Sequence, residues 1–238
     1  MNSPERLVAV IPARGGSTRI PRKNIVDFHG RPLIAWTIDA ALESGIFQDV
    51  VVSTDDEEIA AVSRAYGASV PGLRTDAADD HSPVSDATIA TLLGMASGGN
   101  EFDVVFQLFP VCPLRTDQDI VDAHEFFRGS DADFVLSCYA FNWMNPWWAF
   151  TKDEHGIGEK LFPGPTKRSQ DLRTLYGPTG AIWIARTAAL VEAGTFYGPG
   201  HKFWEIDWRH GVDIDDADDL DFAATLFALT DRSAETAG

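Results

Sequence analysis

Residues Val8 to Asn24, VAVIPARGGSTRIPRKN, are the stretch around which the rest of the chain is read. Val8 to Ile11 is a short apolar run of the kind that forms a buried strand. Arg14-Gly15-Gly16-Ser17-Thr18 then makes a tight polar turn, in which successive backbone N–H groups can converge on an oxyanion. Arg14, Arg19, Arg22 and Lys23 crowd the same few positions. Because the chain has only 19 Lys and Arg against 36 Asp and Glu, such a knot of cations points to a polyanionic ligand, and a triphosphate is the natural candidate. The spacing is neither G-x-x-x-x-G-K-[ST] nor G-x-G-x-x-G. A basic surface loop after a strand would look the same, so the turn needs a second feature elsewhere in the chain to give it meaning.

The 238 residues suffice for one large α/β domain with a good core. A formal charge of -17 argues against nucleic acid or an anionic membrane surface as partner, and an acidic surplus suits a divalent-cation site. No stretch reaches the roughly 20 apolar residues of a membrane span, and a soluble cytoplasmic protein is the expectation. Cys112 and Cys138 belong to no C-x-x-C pattern and read as small buried residues. The histidines lack metal-ligand spacing.

Working outward, Pro32 opens a helix through about Ser44, with Leu33, Trp36, Ile38, Ala41 and Leu42 on one face and Gly45 ending it. Val50 to Ser53 is a second strand. A helix to about Tyr66 follows, for which Thr54 and Glu57 offer a capping box. Asp55 is either part of that helix start or a carboxylate facing the ligand. This βαβα opening implies a mostly parallel sheet, covered on both faces, with ligands at the carboxyl ends of its strands. Further strands are expected at Phe102–Leu108, Phe134–Tyr139, Ala181–Ala185 and Glu205–Trp208, with helices at Val84–Met95, Asp117–Phe127 and Thr187–Ala193.

The second feature lies near the end of the chain. Val212-Asp213-Ile214-Asp215 reads as an extended segment with Val212 and Ile214 turned inward, so that Asp213 and Asp215 share a face. Such a pair either binds a divalent metal such as Mg²⁺ or needs another cation beside it. Asp216, Asp218 and Asp219 fit the first turn of a following helix, where they complement its dipole. That helix is expected to run through Leu229, with a frayed tail from Asp231.

PARGGS-x-R-I-P-R-K-N resembles the opening of the acylneuraminate (CMP-nonulosonic acid) cytidylyltransferases. Three further pieces resemble the same family in order and spacing: Pro110-Val111-Cys112-Pro113-Leu114-Arg115-Thr116, Gly180-Ala181-Ile182-Trp183-Ile184, and Asp213-Ile214-Asp215 before a helix. The resemblance spans about Leu7 to Leu229 and implies a three-layer Rossmann-like nucleotidyltransferase fold in a single domain. A small excursion, about residues 140–178, would build a homodimer and carry acceptor-site residues. It implies CMP transfer from CTP to a small acidic acceptor, releasing pyrophosphate. Ala13 to Ser17, Arg14, Arg19, Arg22 and Lys23 would hold the triphosphate, Asn24 the ribose or a phosphate, and Arg74 and Ser85 the cytosine. Asp213 and Asp215 would be the metal aspartates. Arg168 and Gln170, in Arg168-Ser169-Gln170-Asp171-Leu172, resemble the pseudaminic acid branch. The Arg168 guanidinium suits an acceptor carboxylate.

Two departures stand out. Thr18 occupies the place of a phosphate-binding Lys in many relatives, leaving Arg19 to supply that charge. Phe109 stands where sialic acid enzymes usually have a Gln that holds the sugar acid, and a phenyl ring offers no hydrogen bond. A nonulosonic acid and a smaller acid such as a phosphonate therefore both remain open as acceptors. The aromatic run Phe141 to Phe150 reads as a surface that a partner covers. A non-catalytic nucleotide-binding module would need no second carboxylate pair, and a nicotinamide dehydrogenase would need the glycine spacing that this loop lacks.

Overall fold

Strand β1 (Leu7–Pro12) sits between two parallel partners, β4 (Asp49–Ser53) and β5 (Val104–Gln107). Its successive side chains pack into two different clusters: Ala9 and Ile11 face Ile34, Ile38, Ile59 and Phe127, and Val8 and Val10 face Leu92, Met95 and Leu190. That is why the sequence shows a continuous apolar run rather than an alternation: a strand buried on both faces has no polar side. The computed structural model describes residues 4–74, 84–142, 144–162, 168 and 171–236.

The sheet is completed by β6 (Phe134–Ala140), β9 (Tyr176–Arg186) and β10 (Lys202–Glu205). Its strand order is β10-β6-β9-β5-β1-β4. Five strands run one way and β9 runs antiparallel to both β5 and β6, giving the expected mostly parallel α/β sheet. Helices α1 (Leu33–Glu43), α2 (Glu57–Ala65) and α4 (Asp117–Gly129) cover one face; α3 (Val84–Ser97) and α5 (Thr187–Ala193) cover the other. A third, smaller core forms at the rim, where Ile20, Phe28, Leu33, Val111, Ile214 and Ala223 join the chain after β1 to α6 (Ala217–Thr236). Two short hairpins stand outside the sheet, β2–β3 (Asp27–Phe28, Arg31–Pro32) and β7–β8 (Phe150–Lys152, Gly158–Lys160).

Several boundaries move from those expected. The cap of α2 is Asp56, whose carboxylate accepts from the Glu58 and Ile59 amides; Thr54 is buried and braces the Asp56 amide instead. Ile34, Ala35 and Thr37 of α1 are buried while Leu42 is exposed, because α1 packs against α4 as well as the sheet. The last strand ends at Glu205 rather than beginning there. Asp213 to Asp215 is extended chain outside the sheet, and α6 continues to Thr236 where fraying was expected from Asp231. Both cysteines are buried. No helix among the described residues is long and apolar enough to cross a membrane.

Candidate active site

Because β1, β4 and β5 are parallel, the segments that follow them emerge at one edge. Ala13 extends the β1–β4 pairing through its N–H to Ser53 O (2.9 Å). The chain then turns: Gly15 N–H donates to Asp55 Oδ1 (2.8 Å), and Asn24 Nδ2 donates back to Arg14 O (2.8 Å), closing the loop across its base. Gly15 must be glycine here, since a Cβ would lie 2.8 Å from Asp56 Oδ2. Gly16 is exposed with open space around it. Asp55 is thus neither cap nor bystander; it pins the turn. Arg22, in left-handed backbone (φ 55°), pairs with Asp56 (2.9 Å) and Glu58 (2.6 Å), which clamps the loop to the start of α2.

The loop's other cations meet the second feature. Lys23 Nζ donates to Ile214 O (2.8 Å) and to Asp215 Oδ1 (3.2 Å), and Arg19 reaches the same carboxylate at 3.1 Å. Ile214 is fully buried between the two aspartates, with its N–H on Val111 O (3.0 Å). Asp213 and Asp215 therefore flank an anchored residue. Asp213 is exposed on the cavity side; partial desolvation by its surroundings, then the charge of Asp215, pushes its carboxyl up to about 6 against the opposing pull of Lys23. Two carboxylates on either side of one anchored residue are the oxygen donor type that a hard divalent cation takes, although Asp215 is paired here with Arg19 and Lys23. Among the described residues no third His, Cys, Asp or Glu completes a metal-binding group. Asp216 and Asp219 are accounted for otherwise. Asp216 accepts from the Asp218 and Asp219 amides, and Asp219 from the Asp215 and Asp216 amides, so together they cap α6.

Arg74 lies at the same edge, donating to Ser53 Oγ (3.1 Å). Burial lowers its pKa, with Asp55 opposing that shift and nearby Arg14 adding to it. It lines a cavity of about 340 Å³ with Ser53, Thr91 and the 71–73 segment. Ser85 is buried at the start of α3 and is not in that lining.

On the other side of Asp213 opens a cavity of about 460 Å³ with a largely aromatic wall, including Phe109, Phe141, Trp183, Tyr197, Trp208 and Phe222. Phe109, singled out from the sequence, is in it. Its ring lies where a side chain on Gly180 would be, and a Cβ there would come within 2.1 Å.

Residues 8–94 match the profile of the family described as cytidylyltransferase. The chain is 34% identical over 231 residues to a pseudaminic acid cytidylyltransferase of Campylobacter jejuni, covering 95% of this chain and 98% of the relative. The chain belongs to the cytidylyltransferase family. It is also 35% identical over 238 residues to the CMP-N,N'-diacetyllegionaminic acid synthase of Legionella pneumophila, covering 96% and 99%. The fold agrees with that of a CMP:2-keto-3-deoxy-manno-octonic acid synthetase solved with CTP, at a TM-score of 0.71 and 20% identity over 94% of this chain and 99% of that one. As a member of this family the chain is an enzyme, a nucleotidyltransferase.

Within this cytidylyltransferase, β6 ends at Ala140 and β9 begins at Tyr176, so residues 140 and 176–178 of the expected excursion belong to the sheet, and the described residues between the two strands include the β7–β8 hairpin. Met144, Trp148, Phe150, Ile157, Leu161 and Phe162 are exposed among them. Arg168 is also exposed, accepts the Asp171 amide on its carbonyl, and is not among the cavity-lining residues. Gln170 lies outside the described residues. Sequence reasoning missed Trp183, Tyr197, Trp208 and Phe222. Trp183 was read as core because its neighbours Ile182 and Ile184 are core, and only its pairing opposite Gln107, close to Phe109, turns it into a wall.

Proposed function

We propose that this enzyme transfers CMP from CTP to the hydroxyl of an acidic sugar of the nonulosonic class, releasing pyrophosphate and a proton. One observation carries the reading: Asp215 touches the loop cations Arg19 and Lys23, while Asp213, two residues away, opens into the aromatic cavity. The short Asp213–Asp215 segment thus joins a polyanion site to an acceptor-sized cavity.

In this reading the Ala13 to Ser17 amides, with Arg14, Arg19 and Lys23, take the triphosphate. They neutralise the charge that develops on the phosphoryl oxygens and the departing pyrophosphate, the main demand of phosphoryl transfer. Arg22 and Asn24 hold the loop in shape through Asp56, Glu58 and Arg14 O. Arg74 and Ser85 flank the site of the cytosine. Asp213 and Asp215 would hold Mg²⁺, whose remaining ligands come from substrate and water; when bound it supplies Lewis-acid charge at the reacting phosphate. The acceptor lies against Phe109 and its neighbours. A cavity of about 460 Å³ suits a sugar acid better than a phosphonate of a few atoms. The exposed apolar residues of the excursion suit a second copy of the chain. A nucleotide substrate supports a cytoplasmic setting for the reaction.

Pyrophosphate release from CTP and Mg²⁺ with N-acetylneuraminate, a di-N-acetylated deoxy nonulosonic acid and a small phosphonate tests this. Release with a sugar acid and not with the phosphonate is expected; no CTP-dependent release with any of them overturns the reading.

A further inference from the structure

We infer that Thr179 is a positioning residue for the reaction: a bulge in β9 turns its hydroxyl onto the backbone just ahead of Asp213, and that contact fixes where the aspartate pair stands. The inference rests on the CMP-transfer reading above and deepens it.

Strand β9 departs from regular pairing at this point. Leu136 of β6 lies opposite Trp183 and Cys138 opposite Pro178, so Ser137 alone faces the four residues Thr179 to Ile182. A bulge takes backbone groups out of the ladder and re-aims side chains. Most of the freed groups find other partners here. Thr179 O accepts from Ser137 Oγ (3.0 Å) and Trp183 Nε1 (2.9 Å), and the Ile182 N–H donates to Ser137 Oγ (3.0 Å). Gly180 O accepts the Phe109 N–H (3.2 Å), and Ala181 O accepts from the buried guanidinium of Arg115 (2.6 Å). The bulge is thus held both by β6 and by the turn after β5.

The side chain it delivers is that of Thr179, which is buried. Its Oγ1 accepts the Ala181 N–H (3.3 Å) and donates to Gly211 O (2.7 Å). Gly211 packs so closely here that a Cβ on it would lie 3.3 Å from Thr179 Cγ2. Gly211 also closes the turn that starts at Asp207, whose carbonyl accepts the His210 and Gly211 N–H groups (3.0 and 3.1 Å). Three residues on, the Ile214 N–H reaches Val111 O (3.0 Å). Asp213 therefore stands between two fastened points, Gly211 O and the Ile214 N–H. Asp215 is held at its side chain as well, by Arg19 and Lys23. Among the described residues no hydrogen bond reaches the Asp213 carboxylate, so its backbone decides where it points. Partners that orient metal-holding groups from behind are worth about 10–100-fold in metal affinity or activity, and a shift of about 1 Å at a reacting centre costs about as much.

The test is Thr179→Val, which keeps the shape of the side chain and removes the donor to Gly211 O. With CTP, Mg²⁺ and a saturating nonulosonic acid, kcat should fall about 10–100-fold while the KM for CTP stays within about twofold. Mn²⁺ binding to the enzyme with CTP and no acceptor, read by electron paramagnetic resonance, should weaken about tenfold. Thr179→Ser, which restores the hydroxyl, should return both to wild-type values. Thr179→Ala supplies the same comparison if the Val variant does not fold. A folded Val or Ala variant that keeps either the wild-type kcat or the wild-type Mn²⁺ affinity overturns the inference. So does a Ser variant as impaired as these, or a rise in the KM for CTP that matches the fall in kcat, which marks a general loosening of the site. A wild type that releases no pyrophosphate with any sugar acid is a different result: it overturns the CMP-transfer reading, and Mn²⁺ binding by the variants still decides the role of Thr179.

Discussion

The cationic end of the candidate site comes from one continuous stretch, Ala13 to Asn24, met by the short Asp213–Asp215 segment, whereas the aromatic cavity collects its wall from segments between Phe109 and Phe222. The first is built on charge: two cations share one carboxylate, and a turn is pinned by a buried amide and a clamped arginine. The second is built on a largely aromatic wall. A polyanion can be gripped by a few residues close in sequence, since charge acts over several ångströms and a tight turn gathers its own amides. A dry wall needs surfaces from many elements, and each of its residues could equally have been core.

The two ends can be perturbed separately. The largest effect is expected at their junction: Asp215→Ala removes a proposed metal ligand and frees Arg19 and Lys23 together, and should lower CTP-dependent pyrophosphate release by about 100-fold or more. Near-normal turnover in Mg²⁺ would show that the junction is not where the chemistry occurs. Next comes a matched pair. Arg19→Ala should raise the KM for CTP about tenfold with little change for the acceptor, the order expected for one charged contact. Gly180→Ala, whose Cβ would strike the Phe109 ring, should do the reverse, raising the acceptor KM and lowering stability by about 1–3 kcal/mol. If both variants move both constants alike, the separation of the ends fails.

The smallest effect concerns the segment that carries Trp208 and Asp213 and links the two ends. His210 approaches Asp119 at 2.8 Å; the hydrogen bond to Asp119 raises its pKa despite the cost of burial, while His210 and the Thr116 groups hold Asp119 low against its own desolvation. A histidine raised in the fold stabilises it fully below its unfolded value near 6.5, and that contribution disappears as pH climbs through the folded value. Asp119 works the other way, adding stability above about 3.8 that is lost on acidification. The urea midpoint should therefore fall as pH rises past about 6.5, and His210→Gln should flatten that decline. An unchanged slope would mean that the pair does not tie the segment to α4.

The residues of the cationic end were largely readable beforehand. Arg19, Lys23, Asp213 and Asp215 were all named from residue type and spacing, and the structure brings Arg19, Lys23 and Asp215 into contact. Charges stand out against an acidic chain, and the alternation around Ile214 needs no fold to be seen. Asp55 and Asp56 were harder, since choosing the cap from Thr54, Asp55 and Asp56 depends on which side chain turns back to the helix amides and which toward Gly15. The cavity was unreadable except at Phe109. Trp183 and Tyr197 carry no local mark that distinguishes a wall from a core, and Gly180 gains its meaning only when the turn after β5 lies across β9. The overall α/β pattern was legible because β1 and β4 are apolar on both faces; the antiparallel course of β9 has no counterpart in composition.

Ile20 and Ile214 share the small rim core with Phe28, Leu33, Val111 and Ala223. The arginine-rich turn and the aspartate segment are thus rooted in the same few side chains, away from the aromatic wall apart from Phe109. Cations and carboxylates share this rim core, while Gly15 and Arg22 tie the turn to the chain after β4 and the start of α2 as well. A change in the aromatic wall can therefore leave the contacts of Arg19 and Lys23 with Asp215 in place.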